Sequence, residues 1–408
     1  MSRSGILAGL DLGSSNVRVI VAEADSGLFP RIIGVGKAPA EGIRRGLLVD
    51  LEKTTESVKK AVMEAEKSAG VEVNSVLVSI GGNHLQSLSS YGMTPVSGPG
   101  RRVTGEDVEK VLAAAQAISL PMDREVLEVI PQDFTIDNHG GIKEPVGLVG
   151  MRLEVNVQIV TGKVNCRQNL VNALDSLGLE AEAFVLGPLA SGTAVLTPEE
   201  RQLGAVLLDV GGETTGIAVY FDDAVRHLAV IDMGGKDMTN GLVSGLRLPT
   251  REAESLKIRR GCAPGGSTAG AVSLPSVKGQ KPWTVAVGVG TPVLEAVVER
   301  TFNLVKRELR RCEYVDRLPM GVVLTGGSSR LAGLSDLAEQ IFRMPARQGS
   351  PGLVDGRPDL SSPEWATCAG LVLHGLSGRN RNNHNGPDRG GFLGRIWGGL
   401  RRTFDKHF

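Results

Sequence analysis

The chain has 408 residues, 41% of them hydrophobic, and its 45 Lys and Arg balance 45 Asp and Glu to a formal net charge of zero. That length exceeds one simple core and predicts two or more domains, and the charge balance gives no bulk electrostatic case for nucleic acid. Four scattered cysteines (Cys166, Cys262, Cys312, Cys368) make neither a disulfide scaffold nor a metal pair and are expected to be reduced core residues of a cytoplasmic protein; with no secretory pattern and no apolar run of about 18 residues, any membrane contact is expected to be peripheral.

Ile6 to Asp11, Val17 to Glu23 and Arg31 to Gly36 read as three antiparallel strands joined by Gly-rich turns. Asp50 then caps a predicted helix ending near Ala69, with Gly70 as its stop signal. Ser75 to Ile80 is a further strand. Residues 84–161 form a predicted α+β unit of their own. Within it Thr104 and Asp107 make a capping box for a helix reaching about Ser119, and Leu153, Val155, Val157 and Ile159 alternate as a strand. From Ala205 the N-terminal plan returns: a strand to Asp209, a Gly-Gly-Glu-Thr-Thr turn, and a strand from Gly216 to Phe221. Such a repeat predicts two related domains facing a cleft. Residues 263–282 read as a flexible loop, Pro292 to Tyr314 as a long helix, Gly321 to Gly327 as a buried strand entering a Gly turn, and Trp365 to Leu376 as a helix. Residues 377–390 have nothing apolar to bury and read as a disordered linker.

The two turns of the repeat carry the chemistry. Gly13 lets backbone approach a phosphate, and backbone N–H groups with the Ser14 and Ser15 hydroxyls can donate to its oxygens. Asp11 repels phosphate but suits Mg²⁺ held through water. Asp209 to Thr215 offers the same parts from the other domain. Either turn alone is equally a plain hairpin connector; two in corresponding positions of a repeat point to an anion between them. Thr325-Gly326-Gly327-Ser328-Ser329 follows an apolar strand, and its double Gly admits a flat ligand against bare backbone.

Two phosphate turns, a later Gly-Gly turn and a repeated domain resemble the actin, sugar kinase and heat-shock ATPase superfamily. Val129 to Phe134 continuing to Gly141 to Leu148, then His227 to Ala263, then Ser362 to Thr367, narrow this to a resemblance with the FtsA family of bacterial cell-division proteins over about residues 5–376. The resemblance implies an α/β, two-domain actin-like (ribonuclease H-like) fold with an FtsA-type α+β insert. It divides the chain into subdomain 1A (1–83 and 162–195), 1C (84–161), 2A (196–232 and 300–376), 2B (233–299), a linker (377–390) and a C-terminal amphipathic helix (391–408). It implies ATP and Mg²⁺ as cofactors. Gly13, Ser14, Ser15 and Asn16 would face the phosphates from one side and Gly211, Gly212 and Thr214 from the other, with Asp11 and Asp209 organising Mg²⁺. Gly235 would approach the ribose, Glu254 and Lys257 would contact ribose or adenine, and Gly326, Gly327 and Ser329 would line the adenine pocket. Without the family, Glu254 and Lys257 read as a solvated helix pair. The implied partners are the tail of FtsZ on 2B, further copies of the chain in a filament, and later division proteins on 1C, at the cytoplasmic face of the inner membrane at the septum. One departure concerns turnover: before Ala190-Ser191-Gly192 there is no Gln to orient a water, and Glu182 is the nearest polar group, so hydrolysis is expected to be weak. A small-molecule kinase of the same superfamily, a pilus-assembly adaptor and a rod-shape filament protein of the MreB kind are the alternatives.

Residues 391–408 carry a second function. On a helical wheel Phe392, Leu393, Ile396, Trp397, Leu400 and Phe404 fall within an arc of about 140°, while Arg395, Arg401, Arg402, Asp405 and Lys406 fall opposite, between about 180° and 320°. From Arg389 onward five Lys or Arg and one Asp give 5 − 1 = +4. A basic face opposite an aromatic and aliphatic one predicts a helix lying in the plane of an anionic membrane, and Gly394, Gly398 and Gly399 predict that it folds on contact with lipid. Trp397→Glu should abolish binding to anionic vesicles; unchanged flotation would show that this segment is no membrane helix.

Overall fold

The computed structural model describes residues 5–24, 30–261, 271–274, 283–286, 288, 290–352 and 357–383. The first lobe opens with β1 (Ile6–Leu12), β2 (Asn16–Glu23) and β3 (Arg31–Pro39), followed by a short hairpin of β4 (Ile43–Arg44) and β5 (Leu47–Leu48), helix α1 (Leu51–Ala69) and β6 (Ser75–Ile80). Asp50 caps α1 by accepting from Lys53 N, and Gly70 closes it in the left-handed conformation at φ 69°. An insert then supplies β7 (Gln86–Pro95), α2 (Gly105–Gln116), β8 (Arg124–Ile136), β9 (His139–Ile142) and β10 (Arg152–Lys163). The chain returns through α3 (Val164–Asp175), β11 (Glu180–Leu186) and α4 (Gly187–Val195). The second lobe holds α5 (Pro198–Leu203), β12 (Ala205–Val210), β13 (Thr215–Phe221), β14 (Ala224–Ile231), α6 (Gly235–Leu246), α7 (Thr250–Arg260), β15 (Ala271–Leu274), β16 (Trp283–Ala286), α8 (Thr291–Leu309), β17 (Val322–Thr325), α9 (Leu334–Phe342) and β18 (Ala346–Gln348), and α10 (Ala366–Asn383) ends the described chain.

The two main sheets share one topology. The first runs β3-β2-β1-β6-β11 and the second β14-β13-β12-β17-β18. In each, three antiparallel strands in sequence are followed by two that join in parallel. These are the two related domains that the repeat predicts, in the actin-like plan that the resemblance implies. The insert is a separate antiparallel sheet, β7-β10-β8-β9, covered by α2. Its core is the alternating side of β10 (Leu153, Val155, Val157, Ile159) against Val108, Val111 and Leu112 of α2.

Three cores follow from the layers of the two lobes. One lies outside the first sheet under α1, one outside the second sheet under α6, α8 and α9, and one between the sheets around α4 and α10. The central core includes Leu7 and Ile20 from one sheet, Leu207 and Ala218 from the other, and Ala190, Trp365, Leu371 and Val372 from the helices.

Four sequence expectations change. Residues 366–376, assigned with the second domain, form α10, which packs on β1, β2, β6 and α4 of the first lobe; its apolar residues belong to the central core. The same helix continues through residues 377–383, the first half of the expected linker, since helix propagation is easy once packing has nucleated it. The expected loop over 263–282 contains β15, whose Ala271 and Leu274 pair with Ala286 and Trp283 of β16, while 262–270 and 275–282 lie outside the described residues. Helix α8 stops at Leu309, short of Tyr314. Residues 384–408, with the rest of the linker and the amphipathic segment, also lie outside the described residues. No helix of the described residues is long and apolar enough to cross a membrane.

The insert is fastened at two places. Its helix is started by the expected capping box: Asp107 accepts from Thr104 N at 2.9 Å and from Ser97 Oγ at 2.6 Å. Its sheet meets the second lobe at Arg226, whose guanidinium lies 3.1 Å from Asp133 and 4.9 Å from the centre of the Tyr314 ring. Burial opposes ionisation of Asp107, but hydrogen bonds from Ser97 and Thr104 outweigh it and hold the carboxyl down at about 2. The folded value lies below the unfolded 3.8, so this contribution to stability is full above pH ~4 and lost as the pH falls through 3.8 toward 2. Asp107→Ala should cost the insert about 1 kcal/mol at neutral pH, seen as faster hydrogen exchange of the α2 amides, and the difference from the parent should vanish near pH 2.

Candidate nucleotide cleft

Cross-strand register puts charge at the mouth of the cleft. Asp11 pairs with Arg18 across β1 and β2, and the corresponding Asp209 pairs with Gly216 across β12 and β13. Asp11 is 9% exposed and accepts from Ser79 Oγ at 2.9 Å, while Arg18 Nη1 stands 3.9 Å away. Burial pushes its carboxyl up to about 6, with Asp209 acting in the same direction and Arg18 and Ser79 pulling it down. Burial also raises Asp209, against hydroxyl donors from Ser191 and Thr367. Arg18 reaches onward to Glu364 at 2.8 Å, and Lys37 joins the same carboxylate at 3.2 Å. Burial would raise Glu364, but these cations outweigh it and hold it below the usual range.

The two turns touch. A Cβ at Gly212 would lie 2.1 Å from Ser15 Oγ, so a larger residue there would have to displace the Ser15 hydroxyl. Gly211 N donates to Thr214 O at 2.9 Å, which closes the second turn on itself. Ser14 Oγ accepts from Gly46 N at 3.3 Å. Asn16 opens β2 opposite Pro39. Gly13 sits against Asn16 O and the Arg18 guanidinium.

The remaining candidates gather beside the second turn. Gly235 N donates to Gly211 O at 3.0 Å, and a Cβ at Gly235 would meet Ser328 Oγ at 2.2 Å and Lys257 Nζ at 3.3 Å. Lys257 Nζ donates to Gly235 O at 2.9 Å, to Thr239 Oγ1 at 2.9 Å and to Glu254 at 2.8 Å. Lys257, with its side chain 12% exposed, is therefore tied to the first turn of α6, while Glu254 stays partly open to solvent beside it. Gly326 has φ 84°, and a Cβ there would stand 2.3 Å from Asp209 Oδ1. Ser329 is 3% exposed, and its hydroxyl donates to Gly326 O at 2.8 Å, so it shapes its own turn. Ser328 instead spans the gap, donating to Gly211 O at 2.8 Å.

Sequence reading missed Arg18, Glu364, Ser79, Ser191, Thr367 and Glu213. Arg18 had a signal, since hairpin register places it opposite Asp11. Ser191, Thr367 and Glu364 lie in two stretches that the resemblance picks out, 190–192 and 362–367, but no spacing in them ties these side chains to Asp209 or Arg18. Glu182, the nearest polar group before the Ala-Ser-Gly stretch, lies in β11 and takes a hydrogen bond from Ser75 at the first residue of β6. That is the end of the parallel strands away from the cleft. Among the described residues no cluster of three or more His, Cys, Asp or Glu side chains could hold a metal directly.

A family model for the SHS2 domain inserted in FTSA matches residues 82–161, and one for Cell division protein FtsA matches residues 206–370. Cell division protein FtsA of Pseudomonas aeruginosa is 41% identical over 375 residues, covering 91% of this chain and 89% of that relative. The relative of the same name from Neisseria meningitidis serogroup B is 35% identical, covering 98% of each. The chain belongs to the FtsA family of cell division proteins. In fold it is similar to a chain of a PilM-PilN type IV pilus biogenesis complex, with TM-score 0.66, 18% identity and coverage of 91% of this chain and 98% of that one. It is also similar to MreB5 of Spiroplasma citri bound to ADP, with TM-score 0.57, 13% identity and coverage of 94% and 99%. At these identities the structures show the actin-like fold, while the relatives that share 33–41% identity over most of the chain are FtsA proteins.

Gly326→Ala should strain the backbone and push on Asp209, lowering stability by about 1–3 kcal/mol. Gly327→Ala, whose Cβ would meet nothing nearer than 3.8 Å, should be close to neutral. Thermal melts of the two variants side by side check this.

Proposed function

We propose that this member of the FtsA family is an ATP-binding adaptor that tethers FtsZ filaments to the cytoplasmic face of the inner membrane at the septum and helps assemble the division machinery. The contact of Ser15 with Gly212 carries the nucleotide half of this reading, because it brings two donor-rich turns from separate lobes to one point. The solved MreB5 structures bound to ADP and to AMPPNP support it by fold.

Gly13, Ser14, Ser15 and Asn16 hold the phosphates from the first lobe, and Gly211, Gly212 and Thr214 from the second. Gly235, Glu254 and Lys257 bound the ribose side, and Gly326, Gly327 and Ser329 the adenine side. The donor set fits Mg²⁺: Asp11 and Asp209 are carboxylates whose burial resists charging, and a hydrated divalent cation between them offsets that penalty. Bound Mg²⁺ supplies neutralisation of phosphate charge. Turnover is weak in this reading, since Glu182 stands at the far end of the strands. ATP then acts as a ligand that favours the closed, assembly-competent arrangement of the lobes.

Residues 233–299 take the tail of FtsZ, residues 84–161 later division proteins, and further copies of the chain stack into filaments. Residues 391–408 hold the assembly on anionic lipid, with residues 384–390 completing the tie. Flotation on anionic vesicles with ATP and FtsZ should carry the full chain and FtsZ upward together, while a chain ending at Gly390 stays in solution. Flotation of the full chain without FtsZ would remove the proposed partner, and no flotation of either chain would remove the membrane role.

A further inference from the structure

The β4–β5 hairpin reaches over the cleft and has no role in the reading above. Its turn residues Arg45 and Gly46 have φ of 50° and 75°. That is the geometry of a type I′ turn, where Asn or Gly is favoured first and a long side chain is strained. Strain of this kind concentrates at functional sites. Arg45 N donates to the Glu213 carboxylate at 2.6 Å, and Gly46 N donates to Ser14 Oγ at 3.3 Å. Successive amides of one turn thus rest on the two phosphate turns, one on each. The Arg45 guanidinium leans across the lobes to 3.8 Å from Asp232.

Glu213 is the anion at the centre of this arrangement. It is 7% exposed, and its other oxygen accepts from the Lys236 ammonium in the first turn of α6. An ionised carboxylate only accepts. The backbone N–H and ammonium it has gathered are the donors that recognise phosphate oxygens elsewhere.

We propose that the Arg45–Gly46 turn is a third anion-binding turn, selective for the terminal phosphate of a nucleoside triphosphate, and that Glu213 is the internal anion holding its donors when that phosphate is absent. This rests on the nucleotide reading. A diphosphate leaves Glu213 in place. A triphosphate repels the carboxylate and takes the Arg45 N–H, the guanidinium and the Lys236 ammonium. Arg45 belongs to the first lobe and Lys236, Glu213 and Asp232 to the second, so the exchange makes the terminal phosphate a bridge between lobes.

Calorimetric titration of the full chain with ADP and with AMPPNP, both with Mg²⁺, tests the proposal. Glu213→Gln keeps the shape and removes the charge, so AMPPNP should bind about tenfold tighter with ADP unchanged. Arg45→Asn gives the favoured Asn-Gly turn, so the melting temperature should hold or rise while AMPPNP weakens about tenfold and ADP does not change. If both ligands shift together, or neither shifts, Glu213 is a clasp between the lobes and the proposal is overturned. If the parent chain binds neither nucleotide, the nucleotide reading falls and this inference with it.

Discussion

Helices α4 and α10 cross so closely that a Cβ at Gly370 would stand 1.8 Å from the Ala190 carbonyl oxygen. Only a glycine permits that approach, and the architecture of both lobes depends on it. The crossing lies between the two sheets, so one apolar core serves both. It also delivers polar groups to the cleft. Ser191 from α4 and Thr367 from α10 meet at 2.9 Å and both donate to Asp209. One turn earlier on the chain, Glu364 receives Arg18. The packing that joins the lobes is therefore the packing that builds the site.

The electrostatics of the cleft follow from that burial. Two aspartates stand at the ends of equivalent strands, and burial makes both resist charging. Beside Asp11 stands the buried Arg18 guanidinium, which it shares with Glu364. Removing one partner of such a network leaves an uncompensated buried charge, which costs far more than an exposed pair contributes.

The insert is coupled to both lobes. It grows from the first sheet between β6 and α3, and its own sheet lies on the second lobe through Asp133 and Arg226, with Gln132 donating to the Val225 carbonyl at 3.2 Å. Lys143 adds an exposed ion pair to Asp222 at 2.9 Å. The insert is therefore in contact with both lobes at once.

The sequence by itself determined the elements and their repetition. Period-two strands, the Asp50 and Thr104 caps, and two Asp-to-Gly turns after equivalent strands are local signals, set by backbone propensity and by which residues tolerate a tight turn. Those signals were enough for two related domains facing a cleft and for a separate α+β unit, while the actin-like plan and the placing of Gly13, Gly212 and Gly326 came from the family resemblance. The tertiary structure decided what local pattern cannot carry. It moved α10 to the first lobe, because a helix apolar enough to be central fits either neighbour until the sheets are packed. It turned Lys257 from one of a surface pair into a brace on α6, and turned the Ser329 hydroxyl inward. It also brought Ser191 and Thr367 to Asp209 and Glu364 to Arg18, the last pair 346 residues apart. Side chains that meet only through a shared core leave no spacing in the sequence, and their charges acquire a role only when burial removes the water between them.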